Sequence, residues 1–231
     1  MRAMILAAGR GKRMRPLTDT TPKPLLHAGD RRLIDWSVDG LVKAGITQLV
    51  INAAHLSDTF EPALGEHYHG ADIIYSIEGK NHDESLETLG GIARALPMLT
   101  DGNEPFIVVA GDIVSDFDFS RLTGAVAEKI RRAEADAHLV LVPNPDFHPE
   151  GDMGLEDGWV SRKTRDYTFS SIGIYSPRIF KDVPAVFAKL FPWLDQFIEA
   201  RRVSGEVFAG FWENVGTPEA LEKLAQKLKN S

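Results

Sequence analysis

Short apolar runs alternate with helical patterns between residues 3 and 143, and this alternation is the feature that most restricts the fold. Near-continuous apolar runs predict buried strands at 3–8, 46–54, 72–77, 105–111 and 138–143. The segments between them predict helices at 33–45, 57–67, 85–99 and 119–132. A strand-helix-strand series of this kind predicts a mainly parallel α/β sheet that is flanked by helices.

The rest of the chain has a different pattern. Strands predicted at 153–160, 167–175 and 205–212 are richer in turns, and helices are predicted at about 183–202 and 217–229. The last helix has the clearest start, because Thr217 can cap it and Pro218 suits its first position. We expect a single domain over residues 1–231, in which 144–231 form a small α+β lobe on a core built by about 1–143.

The composition excludes several classes of site. The chain has no cysteine, so disulfides, thiolate metal sites and cysteine nucleophiles are excluded. A net charge of −7 argues against broad nucleic-acid binding. No apolar run reaches the roughly 18 residues of a membrane span, so no membrane association is expected. We expect a cytoplasmic protein with a small anionic ligand.

Positive charge is concentrated near the N-terminus of this acidic chain. Residues 6–25 contain one acid and five basic residues, which are Arg10, Lys12, Arg13, Arg15 and Lys23. Gly9 and Gly11 allow backbone amides to approach an anion, and a proline on each side of Lys23 stiffens the backbone around one point charge. The pattern is neither a Walker A loop nor GxGxxG. Together, the glycines and the braced lysine favour a phosphate site over a solvated basic loop.

Two segments carry a resemblance to a known family. Gly9-x-Gly11-x-Arg13-Met14-x-Pro16-Leu17-Thr18, followed by Thr21-Pro22-Lys23-Pro24-Leu25, resembles the signature of the sugar-1-phosphate nucleotidyltransferases. The resemblance implies a Rossmann-like nucleotidyltransferase fold. It also implies a reaction in which a nucleoside triphosphate and a sugar 1-phosphate give a nucleotide-sugar and pyrophosphate, with Mg²⁺. By the same resemblance Arg13 holds the pyrophosphate, Lys23 holds the α-phosphate, and the nucleotide is bound by Leu6, Ala8, Gly9 and Gly11.

The resemblance extends to a pair of magnesium ligands. Asp112, at the end of the strand predicted at 105–111, matches the family's metal-binding aspartate, and oxygen ligands suit a hard cation. Asn214 in the segment Trp212-Glu213-Asn214-Val215-Gly216-Thr217 stands where the family's second aspartate is expected. Its amide oxygen can still coordinate magnesium, with one negative charge fewer. Glu213 points to the opposite side if the segment is extended, so it is not expected to substitute.

Further matches imply sites for the base and the sugar. The segment 86–91 resembles the family's base-binding loop, which implies nucleotide contacts from Thr88 and Gly90, and Glu78 falls where relatives carry a base-contacting side chain. Sugar contacts are implied for Asn144, Gly151 and Ser171. The Glu-Lys-Pro motif that supplies a sugar-phosphate lysine in larger relatives is absent. Its charge is left to Lys23 alone or to one of three nearby residues, Arg162, Lys163 and Arg165.

The short second lobe is most similar to that of family members that transfer a uridylyl group from UTP to N-acetylmuramate α-1-phosphate in peptidoglycan recycling. Mannose-1-phosphate guanylyltransferases and glucose-1-phosphate thymidylyl- or uridylyltransferases are alternatives, and a phosphocholine cytidylyltransferase is conceivable. A catalytically silent nucleotide-sugar sensor is the alternative from another class, and Asn214 is the feature that points to it. A monomer or simple homodimer is expected.

Overall fold

One ten-stranded sheet runs through the part of the chain that this computed structural model describes, residues 1–79 and 84–229. Its strands, in chain order, are β1 (Ala3–Leu6), β4 (Gln48–Ala53), β5 (His67–Tyr68), β6 (Ala71–Ile77), β7 (Phe106–Ala110), β9 (Ala137–Pro143), β10 (Gly154–Glu156), β11 (Trp159–Ser161), β12 (Tyr167–Tyr175) and β13 (Val203–Val207). Two small two-stranded sheets are formed by β2 (His27–Ala28) with β3 (Arg31–Arg32), and by β8 (Ile113–Ser115) with β14 (Trp212–Asn214).

The strand order in the large sheet is β10-β11-β13-β9-β12-β7-β1-β4-β6-β5. The four strands β7, β1, β4 and β6 are parallel neighbours, as the alternating pattern predicts, and Met4 pairs with both Val50 and Val108. From β12 onward the sheet is mixed, because β12 runs antiparallel to both β7 and β9 while β13 runs parallel to β9. The strands of the second lobe therefore extend the same sheet.

Seven α-helices are described within residues 1–79 and 84–229. They are α1 (Leu33–Lys43), α2 (Phe60–Leu64), α3 (Glu87–Leu99), α4 (Ala127–Arg131), α5 (Leu190–Trp193), α6 (Asp195–Glu199) and α7 (Pro218–Lys229). The last begins as predicted, with the Ala220 amide donating to Thr217 Oγ1 at 3.2 Å. None of the described helices is long and apolar enough to cross a bilayer.

Several predicted elements differ from the structure. The single strand expected over 153–160 is a hairpin, in which β10 pairs antiparallel with β11. The helix expected over 183–202 is confined to α5 and α6, because Pro184 and Pro192 lack an amide hydrogen and disfavour helical geometry in the residue before them. Phe191, directly before Pro192, is accordingly extended, with φ −103° and ψ 134°. The strand expected over 205–212 ends at Val207, and residues 212–214 pair with β8 in a separate sheet.

Both faces of the sheet are buried at the central strands β1, β4, β7 and β9, which explains their near-continuous apolar runs. Ile5 and Ile51 belong to the core on one face, together with α1 and α2, whereas Met4 and Val50 belong to the core on the other face, under α3. A third, smaller core packs Met14 of the opening loop against β8 and α7. This smaller core holds the opening loop against the sheet edge where the candidate site lies.

A buried carboxylate joins β9, β13 and the end of β12. Asp136 accepts hydrogen bonds from Nε of Arg178 at 2.6 Å and from Nε of Arg202 at 2.7 Å. Burial alone would raise the pKa of Asp136, but the hydrogen bonds and charges of the two arginines outweigh it and hold that pKa below its ordinary value.

Candidate active site

A cleft of about 610 Å³ lies at the carboxyl ends of β1, β4 and β7, where ligands of open α/β sheets bind. Ten of the fourteen site residues predicted from the sequence line it, namely Leu6, Ala8, Gly9, Gly11, Arg13, Lys23, Thr88, Asp112, Ser171 and Asn214. The other four, Glu78, Gly90, Asn144 and Gly151, lie outside it. The fold therefore brings the phosphate-type and metal-type residues of distant segments together in one place.

The opening loop turns at Gly11, which adopts a left-handed conformation with φ +62°. A Cβ at this position would lie 2.9 Å from Thr18 Cγ2, so only glycine fits the turn. The Gly11 carbonyl accepts hydrogen bonds from the Met14 amide at 2.8 Å and from Thr18 Oγ1 at 2.9 Å. Among the described residues, no backbone hydrogen bond uses the amides of residues 9–11 as donors, so these amides are available to an anion.

The basic side chains of the loop divide into two groups. Arg15 pairs with Asp19 at 2.9 Å and does not line the cleft. Arg10, Lys12 and Arg13 line the cleft, and within residues 1–79 and 84–229 none of them has an acidic partner. The Arg13 guanidinium lies against the backbone of Gly216, about 3.4 Å from where a Cβ would stand. Three uncompensated cations therefore face the cleft, and each can meet a phosphate oxygen.

The Lys23 side chain is held in one position by burial and by an ion pair. Its side chain is buried with its two flanking prolines, the residue being only 9% exposed, and its ammonium forms an ion pair with Asp112 Oδ2. Asp112 directly follows Gly111, whose amide donates to the Leu6 carbonyl at 2.9 Å and so fixes the end of β7 beside the end of β1. The pair places one cation and one carboxylate on the cleft wall.

Asp112 and Asn214 both line the cleft, and β14 brings Asn214 to this position by pairing it with Ile113 of β8. The Val215 amide donates to the Asp112 carbonyl at 3.2 Å, which holds the two segments together. Glu213 faces away, with its Oε1 accepting from Lys227 Nζ at 3.0 Å. Over the described ranges, no group of three or more His, Cys, Asp or Glu side chains is placed to hold a metal. A carboxylate and an amide oxygen still fit Mg²⁺, which commonly takes few protein ligands and completes its shell with phosphate and water oxygens.

Glu78, for which a base contact is predicted, does not line the cleft. It is 8% exposed and accepts two hydrogen bonds, from Asn52 Nδ2 at 2.6 Å and from the Leu86 amide at 2.8 Å. Asn52 in turn accepts from the Ala7 amide at 2.8 Å. Burial raises the pKa of Glu78, and these two hydrogen bonds oppose that rise. Glu78 therefore connects the end of β1 to the segment that enters α3.

Asn52 itself lines the cleft and was missed by the sequence analysis. It is a buried polar residue near the end of β4, and the other residues from Leu49 to Ala53 are apolar. A polar residue at the carboxyl end of a parallel strand points to the ligand edge of the sheet, so the signal was present in the sequence.

Gly90 is covered by the segment that precedes α5, which is why it lies outside the cleft. The Ala188 carbonyl accepts from the Leu89 amide at 3.0 Å and from the Gly90 amide at 3.3 Å, and the Ala188 amide donates to the Leu86 carbonyl at 3.0 Å. A Cβ on Gly90 would lie 1.9 Å from the Val186 carbonyl oxygen. Gly90 thus permits close backbone packing, while Thr88 faces the cleft.

Asn144 and Gly151 lie against each other in the loop after β9. They line neither of the cavities described for this region. Asn144 donates to the Arg165 carbonyl at 2.9 Å and accepts from Thr168 Oγ1 at 3.0 Å. Gly151 has φ +62°, and a Cβ there would lie 2.5 Å from Asn144 Oδ1. Both residues shape the loop after β9, and the sugar contacts predicted for them stay predictions.

Ser171 projects from a bulge in β12, where the register shifts between Phe169 and Ile172. Its φ of +63° is unusual for a residue other than glycine. The bulge aims Ser171 at the cleft and also at a second cavity of about 420 Å³ beside it. Leu6, Glu87, Thr88 and Ser171 line both cavities, and the second is completed by Val108, Phe169, Tyr175, Lys189, Leu190 and Phe191.

Comparison with known proteins agrees with this geometry. Residues 2–151 match the model of the nucleotidyl transferase family, so the chain belongs to that family and is a transferase, as its opening motifs predicted. More particularly, it is 46% identical over 226 residues to the N-acetylmuramate alpha-1-phosphate uridylyltransferase of Neisseria meningitidis serogroup B, with 94% of each chain covered. The protein of the same name from Caulobacter vibrioides is 32% identical, with 98% of this chain and 96% of that protein covered.

Solved structures confirm the predicted Rossmann-like nucleotidyltransferase fold. HddC from Yersinia pseudotuberculosis, complexed with GMP-PN, superposes with a TM-score of 0.76 over 98% of this chain and 99% of its own, at 20% identity. A Bacillus anthracis protein crystallised with sucrose gives a TM-score of 0.80 over 100% of this chain and 96% of its own, again at 20% identity.

Proposed function

We propose that this enzyme transfers the uridylyl group of UTP to N-acetylmuramate α-1-phosphate and releases pyrophosphate, a step of peptidoglycan recycling. The observation that carries the chemistry is the single cleft in which Arg13, Lys23, Asp112 and Asn214 meet. The choice of base and sugar is supported by the 46% identity to the Neisseria meningitidis uridylyltransferase over 94% of both chains.

The reaction is an in-line displacement at the α-phosphorus of the nucleotide. An oxygen of the sugar phosphate forms the new P–O bond, the bond to the oxygen that bridges to the β-phosphate breaks, and pyrophosphate leaves with that electron pair. The sugar phosphate is largely ionised at neutral pH, so no general base is needed. Because both reactants are anions, the protein mainly has to position them and offset their charge.

The residues of the cleft can divide that task. Arg13 holds the leaving pyrophosphate through its forked donors, and the free amides of residues 9–11 donate hydrogen bonds to further phosphate oxygens. Lys23 carries a buried positive charge beside the carboxyl ends of β1 and β7, where it meets the α-phosphate and the incoming sugar phosphate. Arg10 and Lys12 add charge on the same wall.

Asp112 and Asn214 would hold Mg²⁺ in this scheme. When bound, the ion offsets negative charge on the phosphate oxygens. The amide of Asn214 leaves the protein with one carboxylate in the pair, so we expect a magnesium site that depends strongly on oxygens supplied by the nucleotide.

The setting of the reaction follows from its substrates. UTP is an intracellular metabolite, so we place the enzyme in the cytoplasm, as one catalytic domain that acts as a monomer or a simple homodimer. Direct binding of nucleic acid or membrane has no role in the proposed reaction.

The test is release of pyrophosphate with Mg²⁺, measured for UTP, GTP, dTTP, CTP and ATP with a panel of sugar 1-phosphates. We expect turnover with UTP and N-acetylmuramate α-1-phosphate. Arg13→Ala is expected to lower kcat by about 10²–10³-fold, the usual cost of removing one group that stabilises transition-state charge. Arg15→Ala is the matched control, because Arg15 pairs with Asp19 outside the cleft and its loss leaves kcat close to wild type.

Other outcomes separate the alternatives. Preference for GTP with mannose 1-phosphate would move the assignment toward relatives such as the mannose-1-phosphate guanyltransferase beta-B of Xenopus laevis, which is 29% identical and of which this chain spans 62%. Nucleotide binding without turnover across the panel would refute the enzyme and favour a nucleotide-sugar sensor. Equal activity of Arg13→Ala and Arg15→Ala would refute the assignment of Arg13.

A further inference from the structure

The second cavity has the chemistry of a site for a sugar substituent. Val108, Phe169, Leu190 and Phe191 give it apolar walls, which suit methyl groups such as those of acetyl or lactyl substituents. It borders the phosphate cleft through four shared residues, among them Ser171. A ligand whose phosphate lies in the first cavity can therefore extend its sugar into the second.

Lys189 lies beside these apolar residues of the second cavity. Within residues 1–79 and 84–229, Lys189 is the only lysine or arginine that lines the second cavity. Its backbone is fixed, because the preceding residue, Ala188, exchanges hydrogen bonds with Leu86 and Leu89 at the start of α3. Its side chain is exposed, and within residues 1–79 and 84–229 no carboxylate or hydrogen-bond acceptor engages its ammonium group. Lys189 thus lines the cavity without an ion-pair partner among the described residues, and the one acidic residue in the described lining, Glu87, lies where the second cavity meets the first.

The other cations of the region lie outside the second cavity. Arg162 pairs with Asp195 at 2.7 Å and donates to the Asp152 carbonyl, and Lys163 pairs with Glu156 at 2.9 Å. Neither of them lines the second cavity, nor does Arg165. The cations that serve the phosphates, Arg13 and Lys23 among them, line only the first cavity. Lys189 therefore faces a part of the ligand distinct from its phosphate.

We infer that Lys189 is a specificity-determining residue that receives a carboxylate on the sugar. This inference rests on the proposed function, under which that carboxylate belongs to the 3-O-lactyl group of N-acetylmuramate. The lactyl ether is the group by which N-acetylmuramate differs from N-acetylglucosamine, and it carries one methyl and one carboxylate. The apolar wall accepts the methyl, and the lysine ammonium makes a charge-assisted hydrogen bond to the carboxylate.

Two sugar phosphates that differ only in this group test the inference. KM and kcat are measured with saturating UTP for N-acetylmuramate α-1-phosphate and for N-acetylglucosamine α-1-phosphate, with an inhibition constant replacing KM for any compound that is not turned over. We expect Lys189→Met to raise KM for the muramate ester by about tenfold, the value of one charge-assisted hydrogen bond, and to leave kcat and the constant for the glucosamine ester unchanged. Lys189→Arg should restore most of the discrimination.

Lys181→Met is the matched control, because Lys181 is exposed in the same connecting segment and lines neither cavity. It should leave both constants at their wild-type values. Equal losses for the two sugars in Lys189→Met would show a phosphate contact or a general structural effect and would overturn the inference, as would unchanged constants for both. A wild-type enzyme that does not use the muramate ester would refute the proposed function as well, whereas normal wild-type turnover with an insensitive Lys189 would refute only the role of Lys189.

Discussion

Replacement of Glu78 by glutamine tests whether this residue acts as the support of the cleft rather than as a base contact. Both carboxylate oxygens accept an N–H group, from Asn52 at 2.6 Å and from Leu86 at 2.8 Å, and the residue is 8% exposed. In Glu78→Gln one oxygen becomes an NH₂ group, which then faces an N–H donor whichever way the amide is turned. One buried donor is left without an acceptor.

The cost of that change follows from the number of hydrogen bonds lost. A buried polar group without a partner costs about 1–3 kcal/mol. For a chain of this size, about 3 °C in Tm accompanies each kcal/mol, so thermal unfolding should fall by about 3–9 °C. Because Asn52 lines the cleft and the segment at Leu86 leads to Thr88, the loss of this support should also raise KM for UTP several-fold with a smaller effect on kcat.

The assays are thermal unfolding without ligand and initial-rate kinetics over a range of UTP concentrations. Glu199→Gln serves as the control, because Glu199 is exposed on α6 and surface substitutions of this kind usually stay within about 0.5 kcal/mol. A Tm within one or two degrees of the control, together with an unchanged KM for UTP, would refute the reasoning. A collapse of kcat with normal Tm would instead indicate direct participation of Glu78 in binding the reacting groups.

Two further predictions concern the loop and the buried ion pairs. Gly11→Ala places a Cβ 2.9 Å from Thr18 and 3.3 Å from Lys23, so it should lower kcat. Gly29 has a similar φ of +68° but open space around it, so Gly29→Ala should cost only the backbone strain of about 1–2 kcal/mol. Equal kcat values for the two variants would contradict the role of Gly11. Asp136→Asn should destabilise the protein by about 2 kcal/mol at pH 7, because breaking a buried ion pair is costly while its arginines stay partly exposed to solvent. The lowered pKa of Asp136 makes this contribution fully present above its ordinary value of 3.8 and lost as the pH falls through the folded-state pKa. Urea midpoints of wild type and Asp136→Asn should therefore converge only in that acidic range, and a constant difference across it would contradict the assignment.

Much of the fold could be predicted from the sequence, because its signals are local. The apolar runs of β1, β4, β7 and β9 are buried on both faces, and a continuous run records that burial directly. Thr217 and Pro218 mark the start of α7 in the same local way. The place of β12 between β7 and β9 is a matter of long-range pairing, and no segment of the sequence specifies it by itself.

In the candidate site, too, some features follow from local sequence and others depend on long-range pairing. Gly11, Arg13 and Lys23 belong to one contiguous motif whose backbone conformation is set by its own glycines and prolines, so the sequence alone predicts a phosphate site there. Asp112 and Asn214 were recognisable as strand-end residues, although only the pairing of β8 with β14 shows that they share a wall.

Tertiary structure alone decided which predicted residues support the site and which face it. Base contacts are predicted for Glu78 and Gly90. In the structure Glu78 belongs to a buried hydrogen-bond network, and the segment before α5 packs against Gly90. Lys189 belongs to no recognisable motif, and its place beside the second cavity results from the hydrogen bonds that hold Ala188 against the start of α3. The physical reason is that a motif specifies the conformation of its own backbone, whereas the partners of a side chain come from segments distant in sequence, which only the packed sheet brings together.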